Sequence, residues 1–164
     1  MILRPEAPAD AAAIRSVTAA AFAGAPHASG TEAAIPDALR DAGALTLSLV
    51  AEEAGQVLCH VAFSPVLING QDLGWLGLGP LSVAPEHQRR GIGGRLVAAG
   101  LERLRAGGAA GCVVLGDPDY YTRFGFLADP RLRYPAAPAR YFLHIAFAGP
   151  VPQGVVAYHP AFGA

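Results

Sequence analysis

A strand-like run, a glycine-rich turn and an amphipathic pattern follow one another without a break in the middle of the chain. Residues 73–84 are strand-like, and "PEHQRRGIGG" leads from them into a helix. The apolar face of that helix contains Ile92, Leu96, Val97, Gly100, Leu101 and Leu104. Two glycines end it, and the short apolar run "AGCVVLG" follows. Two strands joined through a helix usually lie parallel, so this stretch predicts a βαβ unit.

The N-terminal part of the chain predicts one strand and two helices. "MILRP" is typical of a short strand, and "ADAAAIRSVTAAAFAG" is typical of a helix with Asp10 as its N-cap. "TEAAIPDALRDAG" predicts a shorter helix that Pro36 splits or kinks. These elements precede a long segment that is rich in Val, Leu, Ile and Thr.

That segment predicts three antiparallel strands, which cover residues 45–52, 56–67 and 73–84. Asn69-Gly70 is the strongest hairpin signal in the chain. Farther on, "DPDYYTRFGF" predicts a helix of about two turns and "RYFLHIAFA" a last strand. We therefore expect a mixed α/β (α+β) fold, with a mostly antiparallel sheet and helices on its faces.

The composition limits the classes of function that remain open. The chain has 164 residues, 52% of them hydrophobic and 15% charged, which suits a single globular domain. We expect that domain to cover residues 1–147, with a Gly/Pro-rich tail over 148–164 packed on it. No apolar run reaches the length of a membrane span, and we see no signal peptide, so we expect a cytoplasmic protein without a membrane partner.

The charged residues exclude several sites. The net charge is −1, which gives no broad basic field for nucleic acid. All 12 basic residues are arginine, so a Walker A lysine, a Schiff-base lysine and a kinase-type lysine are absent. The two cysteines, Cys59 and Cys112, lie in apolar strand-like runs and are expected to be buried, and we expect no metal site.

The turn before the central helix has the chemistry of an anion site. Gly91, Gly93 and Gly94 let the backbone turn tightly, and the first N–H groups of a helix lack partners. Arg89 and Arg90 add guanidinium donors that suit a phosphate. Glycine-rich turns before helices are also common without a ligand, and the spacing differs from the dinucleotide pattern G-x-G-x-x-G. From the glycines alone, an anion site and a merely structural turn both remain open.

Two motifs resemble a known family. Gln88-Arg89-Arg90-Gly91-Ile92-Gly93 is similar to Q/R-x-x-G-x-G/A, the pyrophosphate loop of the GNAT N-acetyltransferase superfamily. "VVLGDPDYYTRFGF" resembles the next strand and helix of that family, which end in Tyr-x-x-x-Gly-Phe. The form "GDP-YY-RFGF" resembles its YhbS-like branch. The order of the elements matches the family over about residues 1–147.

The resemblance implies a fold and a cosubstrate. The sheet is expected to splay between the family's fourth and fifth strands, here residues 73–84 and "AGCVVLG". Acetyl-CoA or a related acyl-CoA is expected to place its pyrophosphate on the loop and its pantetheine arm along the fourth strand. The residues implied are Leu81, Ser82, Val83, Gln88, Arg89, Arg90, Gly91, Ile92, Gly93, Gly94 and Arg95.

The resemblance also implies a catalytic residue. Tyr121 lies four residues before Gly125, the position of the family's general acid, and a phenol pKa near ~10 makes proton transfer to a thiolate nearly balanced. Its neighbour Tyr120 is expected to lie in the core. A backbone N–H of the fourth strand, from Leu81 or Ser82, is expected to polarise the thioester carbonyl.

No residue stands out as the general base. The candidates are Asp117, Asp119, Glu32 and His60. We favour structural roles for them, with Asp119 as a helix cap and His60 as a strand histidine, and a water relay is equally suitable.

The acceptor is expected to be a primary amine of a small molecule or peptide. Its pocket would be formed by the segment between the first two helices, by the strands that follow the "DPDYYTRFGF" helix and by the tail. Those segments contain His27, Tyr134, His144, Tyr158 and His159. A homodimer is possible, as in many members of the family.

Three functions remain open. The first is an acyl-CoA N-acyltransferase. The second is a non-catalytic acyl-CoA-binding or regulatory module of the same fold, which the absence of an acidic residue within the strand "WLGLGPLSV" keeps open. The third is an unrelated phosphate- or nucleotide-binding α/β domain.

Overall fold

The computed structural model describes residues 1–26 and 28–163, so His27, one of the residues named for the acceptor pocket, lies outside the described part. In chain order, the strands and helices are β1 (Ile2–Pro5), α1 (Ala11–Phe22), α2 (Ile35–Asp41), β2 (Leu47–Glu53), β3 (Gln56–Pro65), β4 (Leu67–Ile68), β5 (Trp75–Val83), α3 (Ile92–Ala106), β6 (Gly111–Leu115), α4 (Pro118–Tyr121), β7 (Leu132–Arg133), β8 (Phe142–Ala146) and β9 (Gly154–Ala157). Short 3-10 turns join several of them.

Six strands form one sheet in the order β1-β2-β3-β5-β6-β8. Its neighbouring strands are antiparallel, except for β5 and β6, which α3 connects and which run parallel. The predicted βαβ unit and the predicted mixed fold with a mostly antiparallel sheet are thus confirmed. Asn69 and Gly70 both have positive φ angles, of 50° and 77°, as expected for a tight two-residue turn, and the antiparallel bridge between Ile68 and Gln71 closes this turn in the connection from β3 to β5.

Helices cover both faces of this sheet. Apolar residues of α3, such as Leu96 and Leu101, pack with Leu49, Val61 and Phe63 in the main core. Helix α1 lies against β3 and β5, where Ser82 Oγ donates to Thr18 Oγ1 at 3.3 Å. Side chains alternate between the two faces of a strand, which is why the small polar residues of β2, β3 and β5 face α1 and the larger apolar ones face α3.

The sheet splays where β5 passes Leu78. Strand β5 pairs with β6 only from Trp75 to Leu78, and Gly79-Pro80 follow at once. Proline has no N–H to give to a ladder. On the opposite edge, the register with β3 slips by one residue between Val61 and Phe63, so β5 contains a bulge at this point. The second half of β5 therefore has a free edge toward β6, as the resemblance implied.

The Gly/Pro-rich tail, which the sequence left without an assignment, contributes a strand. Strand β9 lies between β4 and β7 in a separate three-stranded sheet. Tyr158, just after β9, packs against Gly77, where a Cβ atom would come within 2.7 Å of the Tyr158 ring. The tail thus contacts the strand that forms the splay.

Asp10 does not cap α1 as predicted. Its side chain accepts a hydrogen bond from the Ala7 N–H and pairs with Arg4, whose guanidinium is 2.7 Å away, and these contacts lower the pKa of Asp10 to about 2. Pro36 divides the second helical segment into a 3-10 turn, Glu32–Ala34, and α2, in whose first turn it lies. Among the described residues, no helix is long and apolar enough to cross a membrane, and no three His, Cys, Asp or Glu residues form a potential metal cluster.

Candidate functional site

The turn before α3 presents backbone N–H groups to one point. Arg89 and Gly91 both have positive φ angles, of 64° and 77°, and Gly91 is the N-cap of α3. The first N–H bond within the helix runs from Arg95 to the Gly91 carbonyl at 3.1 Å. The N–H groups of Ile92, Gly93 and Gly94 precede it, so helix geometry leaves them without carbonyl partners. They are donors for an anion at the positive end of a helix of 15 residues.

These N–H groups border a cavity of about 590 Å³. Residues from α1, the second half of β5, the loop, the start of α3 and α4 line it: Ala21, Phe22, Ala25, Leu81, Val83, His87, Gln88, Arg89, Gly91, Ile92, Gly93, Gly94, Tyr120 and Arg123. Eight of the eleven residues that the resemblance implied for the coenzyme are among them.

Gly93 is the most closely packed of the three glycines in this wall. A Cβ atom there would lie 3.1 Å from Val83 Cγ2 and 3.3 Å from the Tyr120 hydroxyl oxygen. Glycine at this position lets the start of α3, β5 and α4 approach one another closely. A larger side chain would have to enter the cavity or displace one of these neighbours.

The three remaining residues of the eleven do not line the cavity. Ser82 is fully buried on the face of β5 that packs on α1. Arg90 lies 2.6 Å from His87 Nδ1 and 3.8 Å from Glu53, and Arg95 is exposed on α3.

The backbone of β5 explains why Leu81 and Val83 differ from Ser82. The Ala84 N–H donates to the Leu58 carbonyl at 2.9 Å, and hydrogen-bonded pairs recur at every second residue of an antiparallel ladder. Ser82 therefore directs its N–H and carbonyl toward β3. Leu81 and Val83 direct theirs toward the gap between β5 and β6, where the Val83 carbonyl accepts a hydrogen bond from Gln88 Nε2 at 3.1 Å.

The two adjacent tyrosines have different surroundings. Tyr120 was expected in the core, but it lines the cavity, and the Arg123 guanidinium lies 4.6 Å from the centre of its ring. Tyr121 is partly buried against the main core, 5.8 Å from Phe126 between ring centres. Burial raises the pKa of Tyr121 well above that of a free phenol.

Gly116 accommodates the Tyr121 ring. A Cβ atom at Gly116 would overlap Tyr121 Cε2 and lie 3.0 Å from Cδ2. The glycine that follows β6 thus determines where the Tyr121 side chain can lie. In the sequence it is the first residue of "GDPDYY".

A second cavity, of about 260 Å³, lies where β5 and β6 separate. Leu78, Gly79, Pro80 and Leu115 supply its wall on the sheet side, and Phe22 borders both cavities. The other residues that line it are Ser29, Glu32, Ile35, Tyr134, Tyr158 and Phe162. Tyr134 and Tyr158 belong to the set that the sequence suggested for the acceptor.

The comparison with protein families assigns the chain. Residues 3–128 match the family model described as "Acetyltransferase (GNAT) domain". The chain belongs to the GNAT acetyltransferase family. The "Uncharacterized N-acetyltransferase YhbS" of Escherichia coli K12 is 42% identical over 149 residues, which are 88% of this chain and 86% of that protein. This similarity confirms the YhbS-like branch.

Two solved GNAT structures are similar over nearly the whole chain. A GNAT family acetyltransferase from Brucella melitensis, crystallised in complex with acetyl-CoA, is 56% identical with a TM-score of 0.89 and covers 98% of this chain and 97% of its own. YhbS from Escherichia coli, in complex with CoA, is 38% identical with a TM-score of 0.88. The aligned part is 99% of this chain and 92% of the YhbS chain.

The candidates for a general base in this GNAT chain are mostly engaged elsewhere. Asp117, and not Asp119 as predicted, caps α4 by accepting from the Asp119 N–H at 2.9 Å. His60 is fully buried on the α1 face of the sheet, and burial lowers its pKa to about 4. Glu32 alone among the four candidates lines one of the two cavities.

The predicted acceptor histidines lie elsewhere as well. His144 is on β8, paired with Val113, and His159 Nδ1 accepts a hydrogen bond from the Ala161 N–H at 3.0 Å. Sequence reasoning missed Phe22, His87 and Arg123 as residues that line the cavities. Arg123 lies inside the motif "YYTRFGF", so its position two residues after the tyrosines could have indicated that it lines the cavity.

Proposed function

We propose that the protein transfers an acetyl group from acetyl-CoA to a primary amine. One observation carries the proposal: the free N–H groups at the start of α3 and the free edge of β5 border the same cavity, in a chain of the GNAT family. An anionic diphosphate and an extended amide-containing arm are what these two features can bind.

The residues fit the diphosphate. The N–H groups of Gly91 to Gly94 converge on the cavity, and the side chains of Arg89 and Arg123 flank it. A single charge at a helix N-terminus contributes only ~0.3–1 kcal/mol at a surface, so several contacts must act together. A dissociation constant of about 1 µM corresponds to about −8 kcal/mol, which requires both the diphosphate and the pantetheine arm to be bound.

The free edge of β5 suits the pantetheine arm. Leu81 and Val83 direct their N–H and carbonyl groups into the gap, while Ser82 uses its own within the ladder to β3. We therefore assign the backbone contacts to Leu81 and Val83 and leave Ser82 out. Of the two N–H groups named for the thioester carbonyl, that of Leu81 is the available one.

The transfer itself forms a bond between the acceptor nitrogen and the acetyl carbon and breaks the bond between that carbon and sulfur. An ammonium acceptor loses one proton before the attack and a second after the new bond forms. One of these two protons is regained by the leaving thiolate, so the overall reaction releases one proton. Holding both reactants in the two adjoining cavities supplies much of the rate by proximity.

Tyr121 is our proposed donor to the leaving sulfur. Its raised pKa keeps the phenol protonated at neutral pH, but complete proton transfer to a thiolate of lower pKa is then unfavourable. The Tyr121 hydroxyl would therefore stabilise the developing thiolate through a hydrogen bond, and solvent would complete its protonation. Tyr121 packs beside both cavities' shared elements without lining either cavity, and the absence of a Cβ atom at Gly116 is what leaves room for its ring.

Calorimetry and a thiol-release assay test the proposal. We expect acetyl-CoA to bind with micromolar affinity, ATP and NAD to bind much more weakly, and an amine to accelerate the release of free CoA thiol. Binding of ATP as tightly as acetyl-CoA would mean that the cavity does not select the acyl-pantetheine arm, and would contradict the proposal. Binding of acetyl-CoA without turnover of any amine, peptide or antibiotic would support a non-catalytic module of the same fold.

A further inference from the structure

The second cavity has an unusual combination of aromatic rings and one negative charge. Its outer wall contains a chain of rings, with 5.2 Å between the centres of Tyr134 and Tyr158 and 5.3 Å between those of Tyr158 and Phe162. Phe22 adds a fourth ring from the end of α1. Among the described residues that line this cavity, Glu32 is the one that carries a charge.

Glu32 is held as a carboxylate. It accepts hydrogen bonds from the Ser29 N–H at 2.7 Å, the Ser29 hydroxyl at 2.8 Å and the Gly30 N–H at 3.1 Å. Burial acts against the charged form, but these donors outweigh it and lower the pKa of Glu32. A carboxylate has about four acceptor sites, so three donors leave capacity for another. A lowered pKa makes Glu32 a poor proton acceptor and a good anchor for a cation.

We infer that this cavity takes the acceptor, and that the acceptor is a compact primary ammonium attached to an apolar or aromatic group. The inference rests on the proposed function and adds the class of its substrate. Aromatic rings attract an ammonium through their electron-rich faces, and Glu32 supplies the opposite charge. A volume of about 260 Å³ is below the ~300–1,000 Å³ of pockets for drug-sized ligands, so a small amine or a single terminal residue fits.

The same features exclude other acceptors. A polyamine or an aminoglycoside carries several cations, which one carboxylate does not balance. A free amino acid carries a carboxylate beside its amine, which Glu32 would repel. We therefore expect benzylamine and phenethylamine to be acetylated more efficiently than spermidine, kanamycin or phenylalanine.

The experiment compares the wild type with Glu32→Gln, which keeps the shape and removes the charge. Glu102→Gln is the matched control, because Glu102 is exposed on α3, away from both cavities. We expect Glu32→Gln to lower kcat/KM for phenethylamine about tenfold, a typical size for one partly exposed charge contact, with the KM for acetyl-CoA unchanged. The control should behave as the wild type.

Inhibition measurements with a charged and an uncharged ring compound distinguish the effect of the Glu32 charge from the effect of the shape of the cavity. Phenyltrimethylammonium is a cation that cannot be acetylated, and benzyl alcohol is an uncharged ring compound of similar size. Glu32→Gln should weaken inhibition by the cation about tenfold and leave inhibition by the alcohol unchanged.

Two kinds of failure can be told apart. If spermidine, kanamycin or phenylalanine is acetylated better than phenethylamine, or if Glu32→Gln affects cation and alcohol equally, this inference is wrong and the proposed function stands. If no amine of any class is acetylated, the proposed function fails with it.

Discussion

Replacing His60 with Gln should flatten the pH dependence of stability between pH 7.5 and 5. The imidazole is fully buried, its Nε2 lies 2.8 Å from Ser48 Oγ, and its Nδ1 has no partner among the described residues. Burial lowers the pKa of His60 from 6.5 to about 4, with Glu6 acting in the opposite direction and Arg40 in the same one. In the folded protein this side chain therefore stays neutral at pH values at which it is protonated in the unfolded chain.

The size of the effect follows from these two pKa values. Above pH 6.5 the histidine is neutral in both states and has no influence on the unfolding equilibrium. As the pH falls below 6.5, the unfolded state takes up a proton that the folded state binds only near pH 4, so stability declines through this window. With pKa values of 6.5 and about 4, the loss between pH 7.5 and pH 5 is about 2 kcal/mol.

Urea unfolding at pH 7.5, 6.5, 5.5 and 5.0 measures this loss. The pKa of His144 is also lowered, but His144 is present in both proteins, so the difference between the two pH profiles isolates His60. Asp10 contributes only at lower pH, because its folded pKa of about 2 places its window below the usual value of 3.8. Parallel profiles for the wild type and His60→Gln would refute the reasoning, whatever the stability of the variant at pH 7.5.

Three further substitutions test the site and the core. Gly93→Glu places bulk and negative charge beside the diphosphate site, so calorimetry should show at least ~100-fold weaker acetyl-CoA binding, while Ala98→Glu on the exposed side of α3 should bind normally. Tyr121→Phe should lower kcat about 100-fold with the KM for acetyl-CoA within about twofold, and loss of coenzyme binding would contradict its role. Gly100→Ala brings a Cβ atom within 2.5 Å of Phe63 Cε2, so thermal unfolding should show a net loss of about 1 kcal/mol after the gain in helix propensity, and an unchanged Tm would contradict this packing.

Local patterns were sufficient for the elements that carry the coenzyme loop. The change from period 2 to period 3.6 near residue 91, the helix-ending glycines and the Asn69-Gly70 turn each determine their structure within a few residues of chain. The parallel pairing of β5 with β6 could be predicted because two strands that are joined through a helix usually lie parallel, and no single residue indicates it.

The errors arose where the outcome depends on exact helix length or on distant partners. Helix α4 is only four residues long and continues as a 3-10 turn, so the expectation from a regular helix misplaced Tyr120. Asp117 is the cap because the helix begins at Pro118, whereas a cap at Asp119 would require a helix that begins at Tyr120. Strand β9 pairs with β4, far back in the sequence, and no local periodicity indicates such a partner.

The central claim is that the N–H groups at the start of α3 bind the diphosphate of acetyl-CoA. A crystal structure of this protein grown with acetyl-CoA tests it directly. We expect diphosphate oxygens within about 2.7–3.2 Å of the backbone nitrogens of Gly91 to Gly94, with the acetyl group at the gap beyond Leu81. A coenzyme bound elsewhere, or a cavity closed by the side chains of Tyr120 and Arg123 in its presence, would contradict the account.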